Sequence, residues 1–417
     1  MTRQVQPTSG ALRAANRARV VRVLRGAGWA TRAELVEHTG LSRATVSSVV
    51  AELERRGLLA QRTSAATGTR GRPAAQVALD KSAGTAIAVD IGVRHVAVAV
   101  GDLSHSVLAE RWTTAPRNHT AARGTRIVLA SVEQALAQAD VDPDDLVGAA
   151  ISIAAPVAAG GARLAVPDVL PGWNGSALAD SVADRWGIPV VTENDANLGA
   201  LGEALRAPVP EDADVLYVKV ASRIGLGVAR NGRIVRGRHG YAGEFGHVTV
   251  RPRGDACWCG RRGCLELYAG GDGMLRRLAA SGAAHDIAEL VARAPHDRDV
   301  RRVVDDGVAA LARALADITL VLDPARIVLG GELAALGPLL EDPIRSELQD
   351  LPFGTPVELT VSPLGERASL VGALSLVLTE PAHFADHAQG TAPPRGPEMH
   401  HPSLPLMSIP THRGAAS

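Results

Sequence analysis

The chain's only three cysteines, Cys257, Cys259 and Cys264, fall within eight residues in the stretch DACWCGRRGCLE, and His247 stands ten residues ahead of the first. Three thiolates and one imidazole are the donor set of a closed, tetrahedral structural zinc site. Gly260 and Gly263 lie inside the stretch, where the backbone must curl for three sulfurs to face one ion. A disulfide framework suits the pattern poorly: the number is odd, and half-cystines one residue apart pair badly. Thiols scattered by chance would not leave the other positions empty of cysteine. The spacing predicts a knuckle in which His247, Cys257, Cys259 and Cys264 hold one structural Zn2+ ion per chain.

Two carboxylates are tied to that knuckle. Glu244 lies three residues before His247 in GYAGEFGH, and Glu266 follows Cys264 by two. Rigidly held carboxylates that accept hydrogen bonds from hydroxyls are what a sugar-binding cleft needs. Either one alone would read as a solvated loop charge; beside a metal site they read as ligand groups.

The net charge of zero is unevenly spread. Residues 1–80 hold 13 arginines against Glu34, Glu37, Glu52, Glu54 and Asp80, a balance of +8 that the rest of the chain offsets. A small basic module on an acidic body points to a polyanion as the module's partner. Lys81 and Lys219 are the only lysines, a bias expected of a GC-rich genome rather than of mechanism. No apolar run approaches the ~18 residues of a membrane span. Arg3, Arg13, Arg17 and Arg19 are followed by no apolar segment of a secretory signal. Zinc thiolates fit a reducing compartment, so the expected location is the cytoplasm, with no membrane partner.

Within the basic module, Val20, Val23 and Leu24 are spaced for one face of a helix over 16–26. Thr31 and Glu34 form a capping box for a second helix running to His38. Thr39, Gly40 and Leu41 make a tight turn, and Ser42 caps a third helix through Val46, Val49, Val50 and Leu53. Two short helices joined by a glycine-containing turn are a helix-turn-helix pattern. Arg43, Ala44, Thr45, Ser47 and Ser48 are left free of core duty, and Arg43, Thr45, Ser47 and Ser48 with the capping Ser42 are the candidate DNA contacts: Arg grips guanine bidentately, and small hydroxyl residues approach base edges. Strands at 58–61 and 76–79 would enclose a wing whose Arg70 and Arg72 flank Gly71 and reach phosphates or the minor groove. The alternative, a winged helix that binds protein, is disfavoured by the basic balance. Double-stranded operator DNA is the expected partner.

After Lys81 the chain reads as three strands, a helix at about 120–139 and a further strand at VGAAISIAA. GYAGEFGH followed by CxCGxxGCLE resembles the signature of the ROK family (repressors, open reading frames and sugar kinases). DIGVRHVAVAVGDL at 90–103 is similar to that family's first phosphate loop, and LPGWNG at 170–175 to its sugar-side loop. ENDANLGALGE at 193–203 is similar to its catalytic-aspartate segment, IVLGGELAALG at 327–337 to its nucleotide-side loop and ASLVGALSL at 368–376 to its closing helix. The matches run in family order from about 84 to 379, and together they are specific where DIG or GG alone would mean little.

The resemblance implies an α/β body of two duplicated lobes, related to actin, hexokinase and the Hsp70 ATPase domain (ribonuclease H-like), with ligand held between the lobes. It casts Asp195 as the equivalent of the kinase general base, and Asn194, Asp168, Glu244, His247 and Glu266 as sugar contacts. The phosphate loops depart from the kinase pattern. Val93, Arg94 and His95 follow Gly92 where kinases read GTK, Arg223 stands in a loop that kinases fill with glycine, and Glu332 brings a negative charge beside the nucleotide-side glycines.

The expected organisation is a winged helix-turn-helix at 1–80, a sugar-kinase-like effector domain at 83–379 and a disordered, Pro- and His-rich tail at 380–417. The expected function is a sugar-responsive transcriptional regulator, a homodimer or homotetramer whose effector is a sugar or sugar phosphate and which catalyses nothing. Two alternatives stay open: an active ATP-dependent sugar kinase that also binds DNA, and a regulator that binds a partner protein and no sugar.

Overall fold

The computed structural model describes residues 16–379 apart from 18, 22, 25–26, 56, 64–74, 81–83, 116–119, 159–177, 208, 211 and 353–356. Asp168, Arg70, Arg72, the loop 170–175 and the tail 380–417 lie outside the described residues. Among the described residues no helix is long and apolar enough to cross a membrane.

The N-terminal module is a winged helix-turn-helix. Helical residues between 16 and 27 form α1, followed by β1 (Ala30–Thr31), α2 (Arg32–Thr39), α3 (Arg43–Arg55), β2 (Leu59–Thr63) and β3 (Ala75–Leu79). The Thr31–Glu34 capping box is formed at the start of α2, and Gly40 ends that helix in the left-handed region at φ 65°. Ser42 Oγ accepts the Thr45 N–H at 3.1 Å and caps α3. Val46, Val49, Val50 and Leu53 bury one stripe of α3 against Val20, Val21, Leu24 and Leu35. On α1 the fully buried arc is Val20, Val21 and Leu24, with Val23 only partly covered. Periodicity allows either arc, and packing against the neighbouring elements selects one. β2 and β3 pair antiparallel from Leu59↔Leu79 to Thr63↔Ala75. β1 adds to the outer side of β3, a two-residue strand too short to carry a period.

The body is α/β and built twice on one plan. β4 (Thr85–Ile91), β5 (His95–Asp102), β6 (Val107–Thr114), β7 (Leu146–Ile153) and β8 (Val190–Asn194) form a sheet in the order β6-β5-β4-β7-β8. β9 (Asp214–Val220), β10 (Ile224–Arg230), β11 (Arg233–Ile234), β12 (Arg326–Gly330) and β13 (Glu358–Val361) form a second in the order β11-β10-β9-β12-β13. In each, the first two pairings are antiparallel and the last two parallel. β4 and β9 therefore hold equivalent places.

Strand alternation sends large residues one way and small ones the other. Ile87, Val89 and Ile91 of β4 join Val96, Val98 and Val100 of β5 beneath α4 (Ala121–Ala139) and α5 (Leu178–Trp186). Ala86, Ala88, Ala97 and Ala99 face α12 (Ala368–Thr379) through Leu370, Ala373, Leu374 and Val377. α12 in turn crosses α6 (Asp195–Arg206), which packs on β9 and β10 of the second sheet. A Cβ at Gly372 would collide with the Leu198 carbonyl, so this crossing requires glycine. The outer side of the second sheet is covered by α7 (Glu266–Ala269), α8 (Gly271–Leu278), α9 (Ile287–Arg293), α10 (Arg298–Leu322) and α11 (Pro338–Gln349).

Candidate functional site

Duplication brings equivalent turns to one cavity. The β4–β5 turn (92–94), the β9–β10 turn (221–223), the first residues of α6, the segment 240–247, Trp258, Glu266 and the Gly331–Glu332 pair all line it.

Asp90, at the end of β4, is 1% exposed. It accepts the Ser152 hydroxyl, and His95 Nε2 lies 2.9 Å from its Oδ2. Burial pushes the Asp90 carboxyl up, but the His95 hydrogen bond, the charges of Lys219 and His95 and the Ser152 hydroxyl outweigh it and hold it below the usual range. Asp195 opens α6 and is also buried. Its Oδ1 accepts the Ala196 N–H at 2.8 Å, and Lys219 Nζ donates to its Oδ2 at 2.7 Å. Lys219 projects from β9, where both cross-strand neighbours, Gly225 and Gly330, are glycines. Burial opposes its charge, but Asp195 and Asp90 more than compensate and raise it well above an ordinary lysine.

Asn194 lines the cavity, and its amide also serves structure. Oδ1 accepts the Ala196 and Asn197 N–H groups as the α6 cap, and Nδ2 donates to the Ala155 carbonyl at 3.2 Å. Beneath it Glu193 is buried and ion-paired to Arg236 at 2.5 Å.

The four knuckle residues come together as the spacing predicts. His247, Cys257, Cys259 and Cys264 each bring a ligand atom within 4.8 Å of the others, a set that can hold a metal ion. His247 Nδ1 lies 3.6 Å from Cys257 Sγ, and Cys259 Sγ lies 3.6 Å from Cys264 Sγ. Burial pushes the Cys257 and Cys264 thiols up and the His247 imidazole down. Thiols so placed become good thiolates only with a cation at hand, and a neutral imidazole is the form that ligates one, so the donor set fits a metal. His247 Nε2 faces the other way, 3.9 Å from Glu244 Oε2. Burial, then the charges of Asp195 and Glu266, push the Glu244 carboxyl up to about 7. Glu266 is buried and accepts the Trp258 Nε1–H at 2.6 Å.

Arg223 also lines the cavity, beside the knuckle, with its guanidinium 5.7 Å from the Trp258 ring centroid. Burial and the nearby Glu366 raise the Glu332 carboxyl, against Arg94, His95 and Lys219. The cleft thus carries the carboxylates of Glu244 and Glu266 on the knuckle side, with Arg223 beside them, and the mixed charges of Arg94, His95, Lys219 and Glu332 around its other glycine turns. In the winged helix, Ser42, Arg43, Ser47 and Ser48 are exposed along α3, and Thr45 is half-buried with its hydroxyl 2.8 Å from Ser42 Oγ.

Sequence reasoning missed Lys219, Trp258 and His95. Lys219 carried a signal, one of two lysines in a chain of 44 basic residues, which composition alone had explained away. Trp258 stands between two metal-type cysteines, where its reach into the cleft depends on how the knuckle folds.

A model of the ROK family matches residues 86–380, and a model of the MarR family matches residues 14–68. The chain is 27% identical over 360 residues to the xylose repressor of Bacillus subtilis (strain 168), covering 85% of this chain and 92% of that protein. It is 34% identical over 226 residues to the glucokinase of Thermotoga maritima, covering 50% of this chain and 71% of the kinase. The fold is similar to that of a ROK family transcriptional regulator, a homologue of the E. coli MLC protein, with a TM-score of 0.71 and 21% identity over 91% of this chain and 100% of that one. A ROK family glucokinase from Streptomyces griseus in complex with glucose and AMPPNP gives a TM-score of 0.60 and 30% identity over 70% of this chain and 99% of the kinase. The chain belongs to the ROK family, with a MarR-type winged helix ahead of the family's sugar-kinase-like body.

Proposed function

We propose that this protein is a sugar-responsive, DNA-binding repressor of carbohydrate metabolism, whose body binds an effector and transfers no phosphoryl group. The observation that carries the reading is the extent of the likeness to the Bacillus subtilis xylose repressor, 85% of this chain, against 50% for the Thermotoga maritima glucokinase. A winged helix and an effector cleft on one chain are the two sites a ligand-controlled regulator requires.

In this reading, 1–80 is the DNA-binding domain, 83–379 the effector domain and 380–417 a tail. Arg43, Thr45, Ser47 and Ser48 address base edges, with Ser42 at the helix cap, and Arg70 and Arg72 address the backbone or minor groove. Asp168, Asn194, Asp195, Glu244, His247 and Glu266 surround a sugar or sugar phosphate. One Zn2+ ion, held by His247, Cys257, Cys259 and Cys264, supplies no chemistry beyond fixing the loop that carries Glu244 and Glu266. The protein works in the cytoplasm as a homodimer or homotetramer, with its DNA-reading helices about one helical turn apart. Val93, Arg223 and Glu332 leave the nucleotide half of the cleft without the glycines and hydroxyl that phosphoryl transfer needs.

DNA protection around the protein's own gene, with and without sugars and sugar phosphates, tests the proposal. A sugar-dependent footprint supports it; a footprint indifferent to every sugar contradicts it. Retention of Asp195 and the 34% identity to a glucokinase favour a second reading, a DNA-binding protein that also phosphorylates sugar. Magnesium-dependent consumption of ATP stimulated by a sugar, and abolished by Asp195→Asn, would establish it.

A further inference from the structure

We propose that Lys219 is a resident cation that stands where a divalent metal would sit between two buried carboxylates, so that the cleft takes its ligand without metal. The inference deepens, and rests on, the reading of the cleft as an effector site.

Asp90 and Asp195 reach the cavity from separate elements, the end of β4 and the start of α6. Their exposures are 1% and 7%. Two carboxylates facing one buried space need a cation, or one of them must take up a proton. Lys219 supplies it, 2.7 Å from Asp195 Oδ2. The lysine is no wandering surface chain. It stands on the central strand of its sheet, flanked by Gly225 and Gly330, and lines the same cavity.

The carboxylate oxygens are also already used. Asp195 Oδ1 accepts the Ala196 N–H and Oδ2 accepts Lys219, while Asp90 Oδ1 accepts Ser152 and Oδ2 meets His95. Mg2+ demands a near-octahedral oxygen shell at short distance. Here it would have to displace an ammonium and break these bonds, in a cavity that also holds Arg94 and Arg223. The residues do not fit the metal that phosphoryl transfer from a nucleoside triphosphate requires. The ammonium also holds Asp195 Oδ2, which makes Asp195 a fixed hydrogen-bond partner and Lys219 its positioning residue.

Mn2+ is the probe, followed by electron paramagnetic resonance on the full-length, zinc-loaded protein. Wild type should show no Mn2+ site dependent on Asp195 up to ~1 mM. Lys219→Met should gain one site, at least tenfold tighter than any in wild type, and adding Asp195→Asn should remove it. A wild-type Mn2+ site abolished by Asp195→Asn overturns the proposal, as does a folded Lys219→Met protein that gains none. Should Lys219→Met lose its circular dichroism, Lys219→Gln is read in the same way. Operator binding is measured separately by mobility shift: its absence would sink the regulatory reading and leave the cation assignment standing.

Discussion

The Trp258 indole N–H donates to Glu266 Oε1 at 2.6 Å while the same ring stands edge-on to His247, centroids 4.6 Å apart. A residue between two knuckle cysteines thus orients a cleft carboxylate, so the His/Cys cluster and the cleft share a side chain. Trp258→Phe keeps the ring and removes the donor. Losing a hydrogen bond to a charged group costs about 1.5–3 kcal/mol, and the part of this felt by ligand should weaken sugar binding roughly tenfold with zinc content unchanged. Calorimetric titration beside metal analysis checks both; unchanged sugar affinity would remove Trp258 from the ligand site.

Cys259→Ser takes one donor from a four-ligand set whose binding energy is also folding energy. The variant should be purified with far less zinc than the parent and unfold at lower temperature, and it should lose sugar binding together with the metal. Metal analysis of chelator-free preparations decides it. A parent protein carrying well under one zinc per chain would contradict the knuckle.

Arg43 is exposed at the first turn of α3, four residues before Ser47. Arg43→Ala should weaken operator binding by roughly 1–3 kcal/mol and relax base preference at one position, with little effect on nonspecific DNA. Competition binding against mutated operators reads this out. Equal affinity for operator would mean that another face of the module reads DNA.

What the sequence made legible was local. The Thr31–Glu34 box, the stripe Val46, Val49, Val50 and Leu53, the three strands from Thr85 and the Cys257–Cys264 knuckle all depend on neighbours within about ten residues. What it hid was long-range. Lys219 meets Asp195 from 24 positions away and Arg236 meets Glu193 from 43, pairings fixed only when two sheets converge on one cleft. Asn194 carries a structural duty that its motif does not announce: while lining the cleft, its amide also caps α6 and holds the Ala155 carbonyl.

Asp90 gives a pH signature. Its folded carboxyl is held below the usual aspartate range, so its contribution to stability is present above the unfolded value and is lost as pH falls through the folded one. Between about pH 5 and about pH 2 the wild-type melting temperature should fall more steeply than that of Asp90→Asn, with the two curves converging at the acid end. Parallel curves across that window would show that the His95 and Ser152 contacts and the Lys219 charge stabilise no charge on Asp90.

Coupling between cleft and winged helix is measured most directly by a binding cycle on the full-length protein: operator affinity with and without saturating sugar, and sugar affinity with and without operator. For at least one pentose, hexose or sugar phosphate the two ratios should be equal, in the range of about 5–150-fold. Glu244→Ala should keep the sugar-free operator affinity and lose the response. An operator affinity indifferent to every sugar, or a Glu244→Ala protein that answers at unchanged sugar concentration, would contradict it.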